Sequence, residues 1–79
     1  MPTVRITVML KPGVLDAPGQ AVRAGLHALG YPVETARVGK VIELAVPDAL
    51  RAQVDEMCER FLANPLIEAW TVEEREAVR

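Results

Sequence analysis

Val33-Glu34-Thr35-Ala36-Arg37-Val38 and Val41-Ile42-Glu43-Leu44-Ala45-Val46 are two β-rich runs parted by Gly39-Lys40, and together they read as a β-hairpin with glycine in its turn. Alternation in the second run points Ile42, Leu44 and Val46 one way and Val41, Glu43 and Ala45 the other. Upstream, residues 3–10 alternate in the same manner, with Val4, Ile6, Val8 and Leu10 on one side and Thr3, Arg5, Thr7 and Met9 on the other. That is a half-buried strand. The loop over residues 11–19 holds two prolines and two glycines and leads into a helix near Pro18, with Asp16 as its cap. Val22, Gly25, Leu26 and Leu29 recur at helical spacing, and Gly30 followed by Pro32 stops the helix. Downstream, Pro47-Asp48 opens a second helix with Leu50, Val54, Met57 and Phe61 as its apolar stripe. Asn64-Pro65 ends it, residues 67–72 form a last strand, and residues 73–79 are a charged tail.

The order β-α-β-β-α-β is that of the α+β ferredoxin-like fold: a four-stranded antiparallel sheet with two helices on one face. It is one domain over residues 1–79, with residues 72–79 as a tail that frays. With Ile67 and Ala69 also turned inward, the open sheet face receives Arg5, Thr7, Met9, Val41, Glu43 and Trp70. These six are the expected dimer-face residues, Trp70 being the interface anchor.

Composition narrows the function. The chain has 79 residues, 51% apolar and 25% charged, with a formal net charge of −2. A core this small buries only about 60 to 65% of the surface its unfolded chain exposes, so self-association is expected. One cysteine excludes an intrachain disulfide and a zinc cluster of cysteines. No apolar run approaches the roughly 20 residues that span a bilayer, and residues 1–5 lack a signal-like pattern, so the reading is a cytoplasmic protein without membrane insertion. The acidic balance speaks against a nucleic-acid partner.

A search for chemistry finds little. His27 lies in the last turn of the first helix, and positions three and four away hold Ala24, Arg23, Gly30 and Tyr31, none of them a nucleophile or an orienting carboxylate. Cys58 is flanked by Asp55, Glu56 and Glu59, which oppose a thiolate, so a packed structural cysteine is expected. Glu56 and Arg60 form an i,i+4 pair on a solvated face. Gly13 and Gly19 precede a helix without completing a phosphate-loop motif. The two lysines, Lys11 and Lys40, both stand beside glycines in connecting segments, where functional contacts concentrate. An RNA-recognition module would need aromatics on its central strands, and a copper chaperone a Cys-x-x-Cys pair; neither is present. A stand-alone ligand-sensing domain stays open as an alternative.

The loops are more specific than the strands. Lys11-Pro12-Gly13-Val14-Leu15-Asp16, Gly19, Ala21 and Leu26-His27-Ala28-Leu29-Gly30-Tyr31 closely resemble the first half of PurS, the small subunit of phosphoribosylformylglycinamidine synthase. Arg37-Val38-Gly39-Lys40, Glu43-Leu44, Met57-Cys58, Leu62-Ala63-Asn64-Pro65 and Ile67-Glu68 continue the likeness over nearly the whole chain. Ala17-Pro18 and Trp70 depart from the family's usual pattern. The resemblance implies a non-catalytic assembly subunit in the fourth step of de novo purine synthesis, where a formamide becomes an amidine at the expense of glutamine and ATP. It further implies a homodimer that joins a PurL-like synthetase to a PurQ-like glutaminase, supporting ammonia transfer between them. ATP, magnesium and glutamine are then used by those partners, and no catalytic, cofactor or metal site is expected on this chain. Lys11, Gly13, Asp16, Arg37, Gly39, Lys40, Asn64 and Pro65 are the expected partner contacts.

Overall fold

A computed structural model of the chain describes residues 3–75. Strand β1 (Thr3–Leu10) is the centre of an antiparallel sheet, with β2 (Lys40–Ala45) on one side and β3 (Glu68–Arg75) on the other. Its alternating pattern works as the sequence requires. Val4, Ile6 and Val8 are buried on one face, joined by Val46, and are covered by Val54 and Cys58 of the second helical segment. Ile42, Leu44, Met57, Leu62 and Trp70 close the margins of this core. Helix α1 (Ala17–Ala28) is capped by Asp16 and ends as expected at Gly30, whose φ of 96° permits the Tyr31 N–H to reach the Leu26 carbonyl at 2.9 Å.

The sheet among the described residues has three strands, not four, and the missing one is residues 33–38 of the expected hairpin. Gly39 does not turn the chain: its φ is not positive, and it is glycine because a Cβ there would collide with the Val8 carbonyl and the Met9 thioether. The chain therefore runs past the end of β1 and continues along α1. Its polar groups find partners there: Arg37 donates to the Leu10 carbonyl at 2.5 Å, and the Val38 N–H donates to the Asp16 carboxylate at 2.9 Å. Arg23 donates to the Glu34 carbonyl at 2.9 Å, and His27 Nε2 lies 2.7 Å from the Val33 carbonyl. Backbone groups that a hairpin would have paired across strands are satisfied by the Asp16 cap and by the α1 side chains Arg23 and His27 instead.

The expectation of two helices on one sheet face is corrected as well. Helix α1 buries only Gly19, leaving Val22 and, just past its end, Leu29 and Tyr31 exposed. Only the second helical segment covers the sheet. It opens as a 3₁₀ turn (Asp48–Gln53), has one α turn, α2 (Val54–Met57), and closes as a π turn (Cys58–Leu62) in which the Ala63 N–H reaches the Cys58 carbonyl at 2.9 Å. These changes of pitch rotate Cys58 into the core and Phe61 out of it, so Phe61 is 86% exposed although its spacing from Met57 suits an α-helical stripe.

Trp70 is the third correction. Val8 pairs with Trp70 and Ile6 with Val72, so both β3 residues share the inner face with their β1 partners, while Ala69, Thr71 and Glu73 lie on the outer one. The indole Nε1 donates to Asp55 at 3.2 Å beneath the helical segment. Trp70 therefore does not lie on the open sheet face where the alternation of the last strand placed it. Strand β3 also takes in Glu73, Glu74 and Arg75, which the sequence assigned to the tail, and Glu74 pairs with Arg51; residues 76–79 of that tail lie outside the described residues.

Candidate functional site

The partner-contact residues expected from sequence converge on one end of the sheet. Lys11-Pro12-Gly13-Val14 is a tight turn closed by the Val14 N–H on the Lys11 carbonyl at 3.2 Å, with proline second and Gly13 third at φ 88°, the geometry of a type II turn. The Lys11 N–H donates to Ile67 and its ammonium to the Pro65 carbonyl, each at 2.8 Å, which ties this turn to the segment entering β3. In that segment the Asn64 side chain accepts from the Leu66 N–H at 3.1 Å, and the Asn64 N–H donates to Glu68 at 2.6 Å.

Asp16 joins the other elements. Its carboxylate accepts from the Gly19 N–H at 2.8 Å, capping α1, and from Val38 across the gap. The Val38 bond first, then the Gly19 bond and the neighbouring Arg37 charge, hold the Asp16 carboxyl below the ordinary carboxylate range. Lys11, Gly13, Asp16 and Arg37 line a shallow groove of about 630 Å³, and Gly39 and Lys40 lie on a smaller shelf beside it with Pro18 and Glu68. The exposed Leu15 stands on the groove's wall. Cations, an anion and apolar side chains held on ordered loops make a surface suited to another protein.

On the outer sheet face, Arg5, Thr7, Met9, Val41 and Glu43 lie together. Arg5 reaches one Glu43 oxygen through Nε at 3.0 Å and a terminal nitrogen at 2.7 Å. The groups singled out for chemistry sit apart. Cys58 is fully buried, and burial, then the Asp55 charge, pushes its thiol up, away from thiolate character. His27 is spent on the Val33 carbonyl. Glu56 and Arg60 pair at 3.2 Å as their spacing requires. Among the described residues no three His, Cys, Asp or Glu side chains are grouped to hold a metal, and no helix is long and apolar enough to cross a membrane.

One surface escaped the sequence reading. Leu44, Met57, Phe61 and Leu62 line an apolar groove of about 440 Å³ between the second helical segment and β2. Only the π turn reveals it, because α-helical periodicity places Phe61 in the core.

The family model described as "PurS: Phosphoribosylformylglycinamidine (FGAM) synthase" matches residues 3–76. The chain is 49% identical over 74 residues to phosphoribosylformylglycinamidine synthase subunit PurS of Synechocystis sp., covering 87% of this chain and 74% of that one. It is 42% identical over 79 residues to the Bacillus subtilis subunit, covering 95% and 94%. Among solved structures, B. subtilis PurS superimposes with a TM-score of 0.88 at 41% identity over 96% of this chain and all of that one. A chain of PurLQS from Thermotoga maritima gives 0.74 at 30% identity over 95% and 100%.

Proposed function

Because the chain belongs to the PurS family of phosphoribosylformylglycinamidine synthase subunits, we propose that it is the non-catalytic assembly subunit of that synthase, joining a PurL-like synthetase to a PurQ-like glutaminase. The observation that carries this is the likeness, over nearly its whole length, to a chain of the PurLQS complex. The reaction converts a formamide to an amidine with glutamine as nitrogen donor and ATP as activator. Such chemistry needs an ATP site, a nucleotide site and a thiolate, and these belong to the partners. The present chain contributes surfaces. Its one thiol is buried and its one histidine is bonded to a backbone carbonyl.

Two surfaces divide the work. The loop cluster of Lys11, Gly13, Asp16, Arg37, Gly39, Lys40, Asn64 and Pro65 docks a catalytic subunit, and the open sheet face of Arg5, Thr7, Met9, Val41 and Glu43 serves further assembly. The subunit acts in the cytoplasm as a homodimer built on the ferredoxin-like plan. A free-standing ligand sensor finds no comparable support.

The test uses the purified synthetase and glutaminase of the same organism. Both should be retained on the immobilised wild-type chain in the presence of glutamine and ADP. Lys40→Glu should weaken that retention at least about tenfold at low salt, and less as salt rises, because an exposed cation at an interface acts through a screened field. Equal retention at low salt would remove Lys40 from the interface.

A further inference from the structure

Asn64-Pro65-Leu66-Ile67 is a turn held by its own polar groups. The Asn64 carbonyl accepts from the Ile67 N–H at 3.1 Å and from the Glu68 N–H at 2.8 Å, while the Asn64 side chain accepts from the Leu66 N–H at 3.1 Å and the Asn64 N–H donates to the Glu68 carboxylate at 2.6 Å. Asparagine before proline is what such a turn asks for. Leu66 supplies it only a backbone N–H, which any residue but proline would provide. Its side chain is 84% exposed and stands outside the core, so the fold makes no use of its being leucine.

A scattered exposed leucine is ordinary, but this one is held out on a pinned backbone. Lys11 does the pinning with two groups. Its N–H donates to the Ile67 carbonyl and its ammonium to the Pro65 carbonyl, each at 2.8 Å, so the residues before and after Leu66 are both fixed by one lysine from the end of β1. An apolar side chain whose backbone is ordered beforehand loses little freedom on binding, and this is the property of an interface anchor. Leu66 also stands at the right end of the sheet. Glu68, two residues on, pairs with Leu10 and shares a shelf with Lys40, and Leu15, 69% exposed, lies on the groove that Lys11 lines.

We infer that Leu66 is the apolar anchor of the docking loops and that Lys11 is a positioning residue for it, with its ammonium spent within its own chain. This rests on the reading that the loop cluster docks a catalytic subunit, and it specifies what that subunit presents: a leucine-sized apolar pocket with a carboxylate in reach of Lys40. The two lysines of the cluster then act differently, Lys40 through its charge and Lys11 through the place it gives to Leu66.

The experiment immobilises the chain and applies the synthetase and glutaminase together with glutamine and ADP. Leu66→Ser should raise the half-saturating concentration at least about thirtyfold, the loss expected of an anchor, whereas Leu66→Met, which keeps the volume, should stay within about threefold of wild type. Because the side chain is exposed, both variants should melt within about 4 °C of wild type and sediment as it does. Lys11→Met should weaken retention about tenfold at low and high salt alike, since a position and not a screened charge is lost, and Lys11→Arg, which keeps a donor, should recover most of it. In the Leu66→Ser background Lys11→Met should add less than about twofold, because both act through one side chain. Leu66→Ser binding as tightly as wild type, Leu66→Met weakening as much as Leu66→Ser, or altered sedimentation of the Leu66 variants would overturn the anchor. A Lys11→Met loss that fades with salt, or that multiplies with the Leu66→Ser loss, would make Lys11 a direct contact and overturn its positioning role. If Lys40→Glu weakens retention and Leu66→Ser does not, the docking reading stands and the anchor falls; if neither weakens it, both fall.

Discussion

At Asp16 one carboxylate holds together segments 22 positions apart, capping α1 through Gly19 and fixing the extended segment through Val38. Its depressed pKa makes stability depend on pH in a defined direction. The contribution is fully present above the ordinary carboxylate range and is lost as pH falls through the lower folded value. Melting curves should therefore show Asp16→Asn less stable than wild type at pH 7, with the gap closing toward pH 2; a constant gap would mean that the charge is not what binds Val38. The cap was legible because aspartate before Ala17-Pro18 is a local signal, whereas its second bond, to Val38, depends on tertiary placement. Cys58 packs into the core as its neighbours suggested, whereas His27, expected as a solvated helix side chain, reaches the Val33 carbonyl. Iodoacetamide should label Cys58 at least about a hundredfold more slowly in the native protein than in denaturant, since the thiol is buried and its ionisation opposed. His27→Ala and Cys58→Ala should leave glutamine-dependent activity of the assembled synthase within about threefold, once folded fractions are matched. A larger loss at either residue would place chemistry on this chain.

Among the elements, Gly39 separates what the sequence reveals from what it conceals. A glycine between two β-rich runs fits a hairpin turn and fits equally a strand that must pass close to its neighbour, and only the approach of Val8 and Met9 decides between them. The two cases predict different costs. Gly39→Ala forces a Cβ against a backbone carbonyl and should cost about 2 kcal/mol, or roughly 8 to 16 °C in melting temperature. Gly13→Ala meets open space but keeps a positive φ and should cost about 1 kcal/mol, roughly half that shift. If Gly39→Ala melts at or above Gly13→Ala, the close approach is wrong. β1 and α1 were legible to within a residue because alternation, a cap and a stop glycine all agree there. The phase of β3 was not: its apolar residues fit either face, and pairing with β1 chooses the one that buries Trp70. The π turn at Cys58–Leu62 likewise leaves no mark in periodicity.

For the whole molecule, a thin shape of 49 × 34 × 14 Å and a small core describe a protein completed by others. The loop cluster was legible through its glycines, prolines and lysines, whose kinds signal ordered connections. Its convergence was not, since the Lys11–Pro65 bond joins residues 54 positions apart. That bond also separates the two lysines: Lys11→Glu should disturb the Asn64-Pro65 turn and lower the melting temperature slightly, while Lys40→Glu should weaken docking and leave melting nearly unchanged. The proposed role is to join two catalytic subunits and to perform no chemistry on this chain. Native mass measurement of the synthetase and glutaminase, mixed with glutamine and ADP, with and without the chain, tests it most directly. One complex containing all three chains is expected, dissolving into separate synthetase and glutaminase when this chain is withheld; a synthetase–glutaminase complex equally abundant without it would overturn the assembly role.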